Sequence, residues 1–594
     1  VTGGVFNAAD WLVVGLFVLV MLAIVVYSMR VRARSGQDYF LSGRDSNWVQ
    51  IGTSIFSSNI GSEHLVGLAG AGFATGMAMA HWEIQSWLIL VLGWVFVPLY
   101  DRMKVFTMPE FLELRFSRGS RNVLSILTIA SLVLTKIAVT IYAGDVVVRT
   151  LLGIETVNIF GAQVDVFWVI AVGLAATTGL YTVLGGLRVI MYTAVLQAPV
   201  LILGSLSILF CGLSVLGHGD LLAGWRATVA AAGDNIHLIR SFDDPDWSWA
   251  AVLPGSAIIG FWYWCTDQYI VQRVLAGRNQ QQARRGTILA AFLKLTPVFI
   301  FLVPGMIAFA LTRMPGSGFV TSGDAAYTSL VAQILPHGLR GMVACSMIVA
   351  LMASLASKFN AAATLVTMDF FRERHPDPTG TDPTGTDAGG RTEVLIGRIA
   401  TAVIVVMGVC WVLVIKSLHS DLYVYLQSVQ GYLSPAIAVL FLLGVFWKRA
   451  TPTAALWAFV VGVTGGFARL AADLVMRTDG ALVTTLKQQR FHGSITADQY
   501  AAALAPIQAR HGWLFDFWSI HWLYYTQILF LLTAALLIAL SFVTRPAEPA
   551  ALRFTWYGAT AQEKAATRAS WGGLDVALSL VVLVAVGVFY IAFW

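Results

Sequence analysis

The sequence predicts an all-α polytopic membrane protein. Three observations carry that prediction. The chain of 594 residues is 57% hydrophobic and only 12% charged, about half the charge of a soluble domain. Apolar runs of about 18 residues or more, the length that crosses a bilayer, recur along its whole length. One of those runs is interrupted by Ser57-Ser58-Asn59-Ile60-Gly61-Ser62-Glu63-His64. Hydrocarbon cannot hydrogen-bond a loosened backbone, so such a break survives only buried in protein or lining a wet cavity. Carriers place their substrate and ion sites at breaks of this kind.

Fourteen runs read as spans, near 10–29, 47–75, 81–101, 122–148, 165–184, 190–216, 249–272, 286–312, 339–369, 396–416, 421–446, 452–475, 519–543 and 573–593. The first lacks a basic stretch before it and a small-residue cleavage site after it, so it reads as a retained span, not a signal peptide. The second contains the polar break. The segment DPTGTDPTGTDAGG (377–390) is low-complexity and reads as a flexible cytoplasmic linker. The 218–248 and 476–518 stretches read as external loops with room for short helices.

Basic residues set the orientation. With the N-terminus outside, twenty-four of the 38 Lys and Arg fall in inside loops and eleven outside, five of these in the long 469–518 stretch. Lys136, Lys294 and Lys358 remain inside spans. An even number of spans then puts the C-terminus outside too.

Composition also excludes functions. A net charge of +6, spent in loops between spans, gives no reason to expect a nucleic-acid partner; the lipid bilayer is the expected one. Cys211, Cys265, Cys345 and Cys410 lie in apolar runs at no metal-ligand spacing and read as packing residues. No stretch fits a soluble catalytic domain. An intramembrane enzyme would need a metal cluster or a catalytic base, and Glu63 beside His64 is the only adjacent acid–base pair at depth. No enzyme activity and no organic cofactor are expected.

Ionisable groups inside a membrane are functional candidates. Lys294 sits in AAFLKLTPVF and Glu83 in MAHWEIQSW. A snorkelling lysine and an interfacial acid are the plain alternatives. Gln427 and Gln430, in VYLQSVQGYL, fit an interhelical hydrogen bond equally well. Taken together, Asn59, His64, Glu83, Lys294 and Gln427 supply donors and acceptors of both kinds, as sugar hydroxyls require. Trp262, Tyr263 and Trp264 offer aromatic faces for the apolar side of a pyranose.

The motifs SSNIGSEHLVGLAG (57–70), KVFTMPEFLELRF (104–116), GGLRVIMYTAVLQ (185–197), FWYWCTDQYIVQR (261–273), FLKLTP (292–297), LMASLASKFNAAATLVTMDF (351–370) and LLGVFWKR (442–449) resemble the solute:sodium symporter family, and within it the sodium/sugar cotransporters. The resemblance runs from about residue 10 to 475. It implies a LeuT-like core of two inverted five-helix repeats, with one span before and three after. The expected organisation is 1–46 for the extra span and its loop, 47–216 for the first repeat, 217–248 for an external loop, 249–446 for the second repeat with the cytoplasmic linker 372–392, and 447–594 for three further spans with an external loop at 476–518 and a cytoplasmic loop at 544–572. It implies substrate-binding positions at Asn59, His64, Glu83, Lys294 and Gln427, an inner gate at Tyr263 with Trp264 beside it, and an outer gate at Leu68, Trp82 and Tyr423.

The family's sodium position maps to backbone carbonyls of Ser57, Ile60 and Ala350 and to two hydroxyls, which are Ala353 and Ser354 here. One hydroxyl is missing. The acid that the family carries in a YTDxLQ motif is Ala194, and Lys358 stands four residues after Ser354. An ammonium about 6 Å from a sodium ion repels it by about 3 kcal/mol at an effective dielectric near 20, roughly two decades in affinity. Two functions follow. The first is sodium-coupled symport of a hexose by alternating access in a cell membrane. The second is a sodium-independent or proton-linked carrier in which Lys358 replaces the cation. Inositol or another polar solute, or a sugar-gated sensor on the same fold, are further readings.

Overall fold

The structure, a computed structural model, describes residues 6–30, 33–61, 63–372, 388–416, 422–491 and 494–594. Ser62 and most of the 372–392 linker lie outside the described residues.

The chain is helical almost throughout. Helix α1 (Ala8–Met29) is closed at its start by a capping box between Asn7 and Asp10. Helix α2 (Trp48–Asn59) starts from a second capping box, Asn47 with Gln50. The rest of the interrupted run follows as α3 (63–75), and α4 (80–103) returns across the core. Then come α5 (Arg118–Leu151), α6 (Val166–Leu216), α7 (Trp249–Cys265), α8 (Gln268–Leu275), α9 (Gln280–Arg313), α10 (Leu339–Phe371), α11 (Ala388–Lys416), α12 (Leu422–Phe446), α13 (Pro452–Val475), α14 (Trp522–Val543) and α15 (Gly573–Ala592).

Among the described residues eleven helices are long and apolar enough to cross a membrane, and α7 is a shorter apolar one. The fourteen expected runs do not appear as fourteen separate helices. The runs at 165–184 and 190–216 form the 51-residue α6, continuous except for a reversal at Gly186, whose φ of 57° and ψ of −149° are open only to glycine. The run at 47–75 is split by its break, and α3 passes into α4 through a short tight turn.

The molecule is not wholly helical. Thr156–Ile159 pairs antiparallel with Ala162–Asp165 in a hairpin between α5 and α6. Its two-residue turn, Phe160-Gly161, holds both residues in the left-handed region at φ 50° and 88°, the geometry that suits a strand's own twist. The loops expected outside carry helices: Leu221–Ala232 in one, Arg477–Phe491 and Ala497–His511 in the other.

The core lies where α2 and α3 pass through the middle of the bundle. There α2 packs against α6, α9 and α10, and α12 packs against α3 and α7. α1, α11, α14 and α15 present rows of exposed Leu, Val and Ile outward, as lipid-facing helices do. Of the cysteines, Cys265 and Cys345 are packed inside, but Cys410 is exposed on α11. Packing therefore does not account for Cys410, which sits on an outward-facing surface.

Candidate functional site

The polar break is a real interruption. Ile60 leaves α2 with φ −73° and ψ 116°, so the last carbonyls of that helix have no following helical N–H to accept from. The chain resumes at Glu63 in a widened π-type turn, Glu63–Leu68, a form of helix that recurs at functional sites. The N–H groups of His64 and Leu65 both donate to the Gly61 carbonyl, at 3.1 and 3.0 Å.

Four side chains from four helices, α2, α3, α4 and α9, meet at that break. Lys294 on α9 donates from Nζ to Glu83 Oε2 at 2.6 Å and to Asn59 Oδ1 at 3.0 Å. His64 Nε2 lies 3.2 Å from the same Glu83 oxygen. Asn59 passes the network inward, its Nδ2 donating to the Tyr263 hydroxyl at 2.7 Å. The Lys294 ammonium also lies 5.3 Å above the Trp264 ring, a cation–π contact. All of these side chains are buried. A buried ion pair of this kind is costly to desolvate and is held by its hydrogen bonds. Snorkelling does not describe Lys294: its ammonium faces inward to Glu83.

These residues surround a small cavity of about 30 Å³ that is also lined by Glu63, Trp82, Gln85, Gln427 and Gln430. That is room for one or two waters, not for a hexose. The polar groups bond to one another, so a solute must separate Lys294, Glu83 and Asn59 to enter. Two polar atoms at the site remain without partners, His64 Nδ1 and Trp82 Nε1.

Above and below, aromatic rings close the cavity. Trp82 stacks on Trp522 with centroids 6.0 Å apart and meets Trp247 edge-on at 6.2 Å. Below, Tyr263 bonds to the Tyr269 hydroxyl. A second buried ion pair lies beneath them: Lys136 Nζ to Asp267 Oδ2 at 2.6 Å, with the ammonium over the rings of Trp262, Tyr263 and Tyr269.

The residues matched to a cation lie where the end of α2 meets α10. Gly61 is so close to Ser354 that a Cβ there would fall 2.6 Å from Ser354 Oγ. Ser57 Oγ is buried without a hydrogen-bond partner. Ala350, Ala353 and Ser354 are all buried. Ala353 has no hydroxyl, and its carbonyl accepts from Ser357 Oγ at 2.7 Å. Lys358 does not point to a wet vestibule. Its Nζ donates to Thr140 Oγ1 on α5 at 2.8 Å and lies 3.8 Å from Glu63 Oε1. Arg273 donates from Nε to Ser58 Oγ at 2.8 Å, and its two terminal nitrogens have no partner. Ala194 is buried on α6.

The structure thus brings Asn59, His64, Glu83, Tyr263, Trp264, Lys294 and Gln427 around one cavity. Trp82 lines it too, whereas Leu68 is buried in the packing of α3 outside its lining. The side chain of Tyr423 lies outside the described residues. Sequence reasoning missed Glu63 as a residue of this cavity, because adjacent residues on a regular helix point in different directions. The widened turn brings Glu63 and His64 to the same cavity. It also missed the Lys136–Asp267 pair, although a lysine in mid-span needs an acid partner and Asp267 follows the aromatic motif directly.

Comparison with known proteins gives a family and a fold. The model described as the sodium:solute symporter family matches residues 39–462. The sodium/myo-inositol cotransporter 2 of Oryctolagus cuniculus is 36% identical over 496 residues, covering 78% of this chain and 70% of that protein. The sodium/glucose cotransporter 4 of Danio rerio is 32% identical over 589 residues, covering 94% and 82%. Among solved structures, a substrate-bound outward-open Na+-coupled sialic acid symporter superposes with a TM-score of 0.69 at 18% identity, over 91% of this chain and 99% of that one. At that identity the likeness is one of fold.

Proposed function

The chain belongs to the sodium:solute symporter family, and on that premise we propose that it moves a small polyhydroxylated ring solute by alternating access. The observation that carries the reading is the Lys294 ammonium held between Glu83 and Asn59 at the break of the second span. An ammonium, a carboxylate and an amide can each exchange their mutual bonds for bonds to vicinal hydroxyls. Trp264 and Tyr263 offer faces for the C–H side of the ring. A hexose and an inositol both present a six-membered ring of hydroxyls. The relatives are glucose and myo-inositol cotransporters, so both are substrates to test. Fourteen spans, two inverted repeats and both termini outside belong to this proposal.

Sodium is the proposed coupling ion. Main-chain oxygens of Ser57, Ile60 and Ala350 and the Ser354 hydroxyl would hold it, and the free Ser57 hydroxyl supplies the oxygen that Ala353 lacks. Glu63 lies 3.8 Å from Lys358, an attraction of about 4 kcal/mol at an effective dielectric near 20, and it offsets part of the repulsion that Lys358 would exert on the ion. The cation contributes by binding one conformation better than the other.

One observation favours a second reading. Lys358 joins α10 to α3 and α5 through Glu63 and Thr140, and a bound cation would also join α10 to the broken helix. With Arg273 lacking a carboxylate partner among the described residues, the region already carries positive charge. In that reading Lys358 replaces sodium and uptake needs no sodium.

Ligand-induced stabilisation of the purified protein tests the substrate class. A ligand at 100 times its Kd stabilises by about 2.7 kcal/mol. Glucose, galactose or myo-inositol should raise the melting temperature, with and without sodium distinguishing the two cation readings. No shift with any of them would remove the polyol proposal.

A further inference from the structure

A second cavity opens at the end of the bundle that the basic-residue count places inside. It has a volume of about 400 Å³ and lies between the last turn of α1, the bend of α6 and the first turns of α11. Three arginines line it: Arg188, two residues past the Gly186 reversal, and Arg391 and Arg398, seven residues apart and therefore on one face of α11.

None of the three forms an ion pair or a side-chain hydrogen bond among the described residues, and Arg398 Nε is buried without a partner. Exposed arginines usually reach a carboxylate or water; three converging on one space with a buried free N–H do not offset one another's charge. Among the described residues Asp38 is the only acid lining the cavity, and one of its oxygens is engaged by the Arg34 backbone N–H at 3.1 Å. Glu393, the nearest acid on α11, is committed elsewhere: it accepts from the Gly36 N–H at 3.1 Å and faces Arg372 at 3.5 Å. Among the described residues three positive charges therefore face one negative charge.

The rest of the lining is apolar. Leu184 and Leu395 are 41% and 56% exposed, on helices whose outer faces are rows of exposed aliphatic side chains. A ligand here meets guanidinium groups at one end and hydrocarbon at the other. Planar guanidinium forks match phosphate oxygens bidentately, and basic pockets between spans at the inner interface suit anionic headgroups.

We propose that this cavity holds the phosphate headgroup of an anionic phospholipid, with an acyl chain running outward over Leu184 and Leu395. The site is separate from the polar break and does not depend on what the carrier moves.

Native mass spectrometry of the full-length protein, reconstituted in mixed phosphatidylglycerol and phosphatidylcholine and then released into detergent, tests this. The wild type should retain phosphatidylglycerol selectively. Arg188→Gln, Arg391→Gln and Arg398→Gln together should abolish that selectivity. Arg398→Gln alone should weaken retention on the order of tenfold, the effect of one lost charged hydrogen bond. The single variant should keep the wild-type melting temperature in phosphatidylcholine alone, showing an intact fold. Equal retention of both lipids by the wild type, or undiminished selectivity in the triple variant, would overturn the assignment. So would displacement of phosphatidylglycerol by millimolar inorganic phosphate, since the occupant would then be a soluble anion.

Discussion

Lys294 and Glu83, on helices separated by about two hundred residues of chain, hold each other at 2.6 Å in the middle of the bundle. Both are buried. The pair stands beside the break between α2 and α3, so a close charged contact at the site is also one that a solute must rearrange.

Lys294→Met leaves Glu83 charged and buried without its main partner. Breaking a buried pair from one side costs about 3–5 kcal/mol, so this variant should melt earlier and lose uptake. Lys294→Met combined with Glu83→Leu should recover most of the stability and none of the uptake. Thermal unfolding and radiolabelled uptake, measured side by side, separate the two effects.

Gln427→Glu adds a third carboxylate to a cavity that already contains Glu83 and Glu63. Solute uptake should fall by about tenfold or more, with the folded yield unchanged by size-exclusion profile. Uptake equal to wild type would take Gln427 out of the site.

Tyr263→Phe keeps the ring and removes the hydroxyl that accepts from Asn59 at 2.7 Å. A buried amide left unsatisfied costs about 1–3 kcal/mol. The expected result is a KM raised by about tenfold with a smaller change in maximal rate. An unchanged KM would show that the ring alone serves the inner closure.

Ser57→Ala and Ala353→Ser act in opposite directions on one ion. The first should raise the sodium concentration that half-saturates uptake and the second should lower it, each by about fivefold to tenfold. Lys358→Met decides between the two cation readings. If sodium is coupled, removing the ammonium should tighten sodium, by up to two decades before any change in the Glu63 contact. If Lys358 replaces the ion, uptake should collapse at every sodium concentration.

Much of this site was legible in the chain because membrane segments tolerate so few polar residues. The break at 57–64, the lysine in FLKLTP and the acid in HWEIQ stand out against hydrocarbon, and the resemblance ordered them. What could not be read was the conformation of the break itself. Glu63 and His64 share a cavity only because Ile60 is extended and the next turn is widened. Lys358 was foreseen as a departure from the family pattern, but its reach to Thr140 depends on how α5 packs beside α10. The hairpin at 156–165 is short and mostly exposed, with little hydrophobic patterning to announce it. The arginines of the inner cavity looked like ordinary loop charges, because nothing in spacing shows that residues 188 and 391 come together.

The most direct measurement is solute accumulation in proteoliposomes containing only this protein. An inward sodium gradient should concentrate glucose, galactose or myo-inositol above the external level, and collapsing that gradient should release it; the Lys358 reading instead gives entry that is indifferent to sodium. If none of these solutes enters under a sodium gradient, a proton gradient or none, from protein shown to be folded, then the polar break of the second span is not a polyol site.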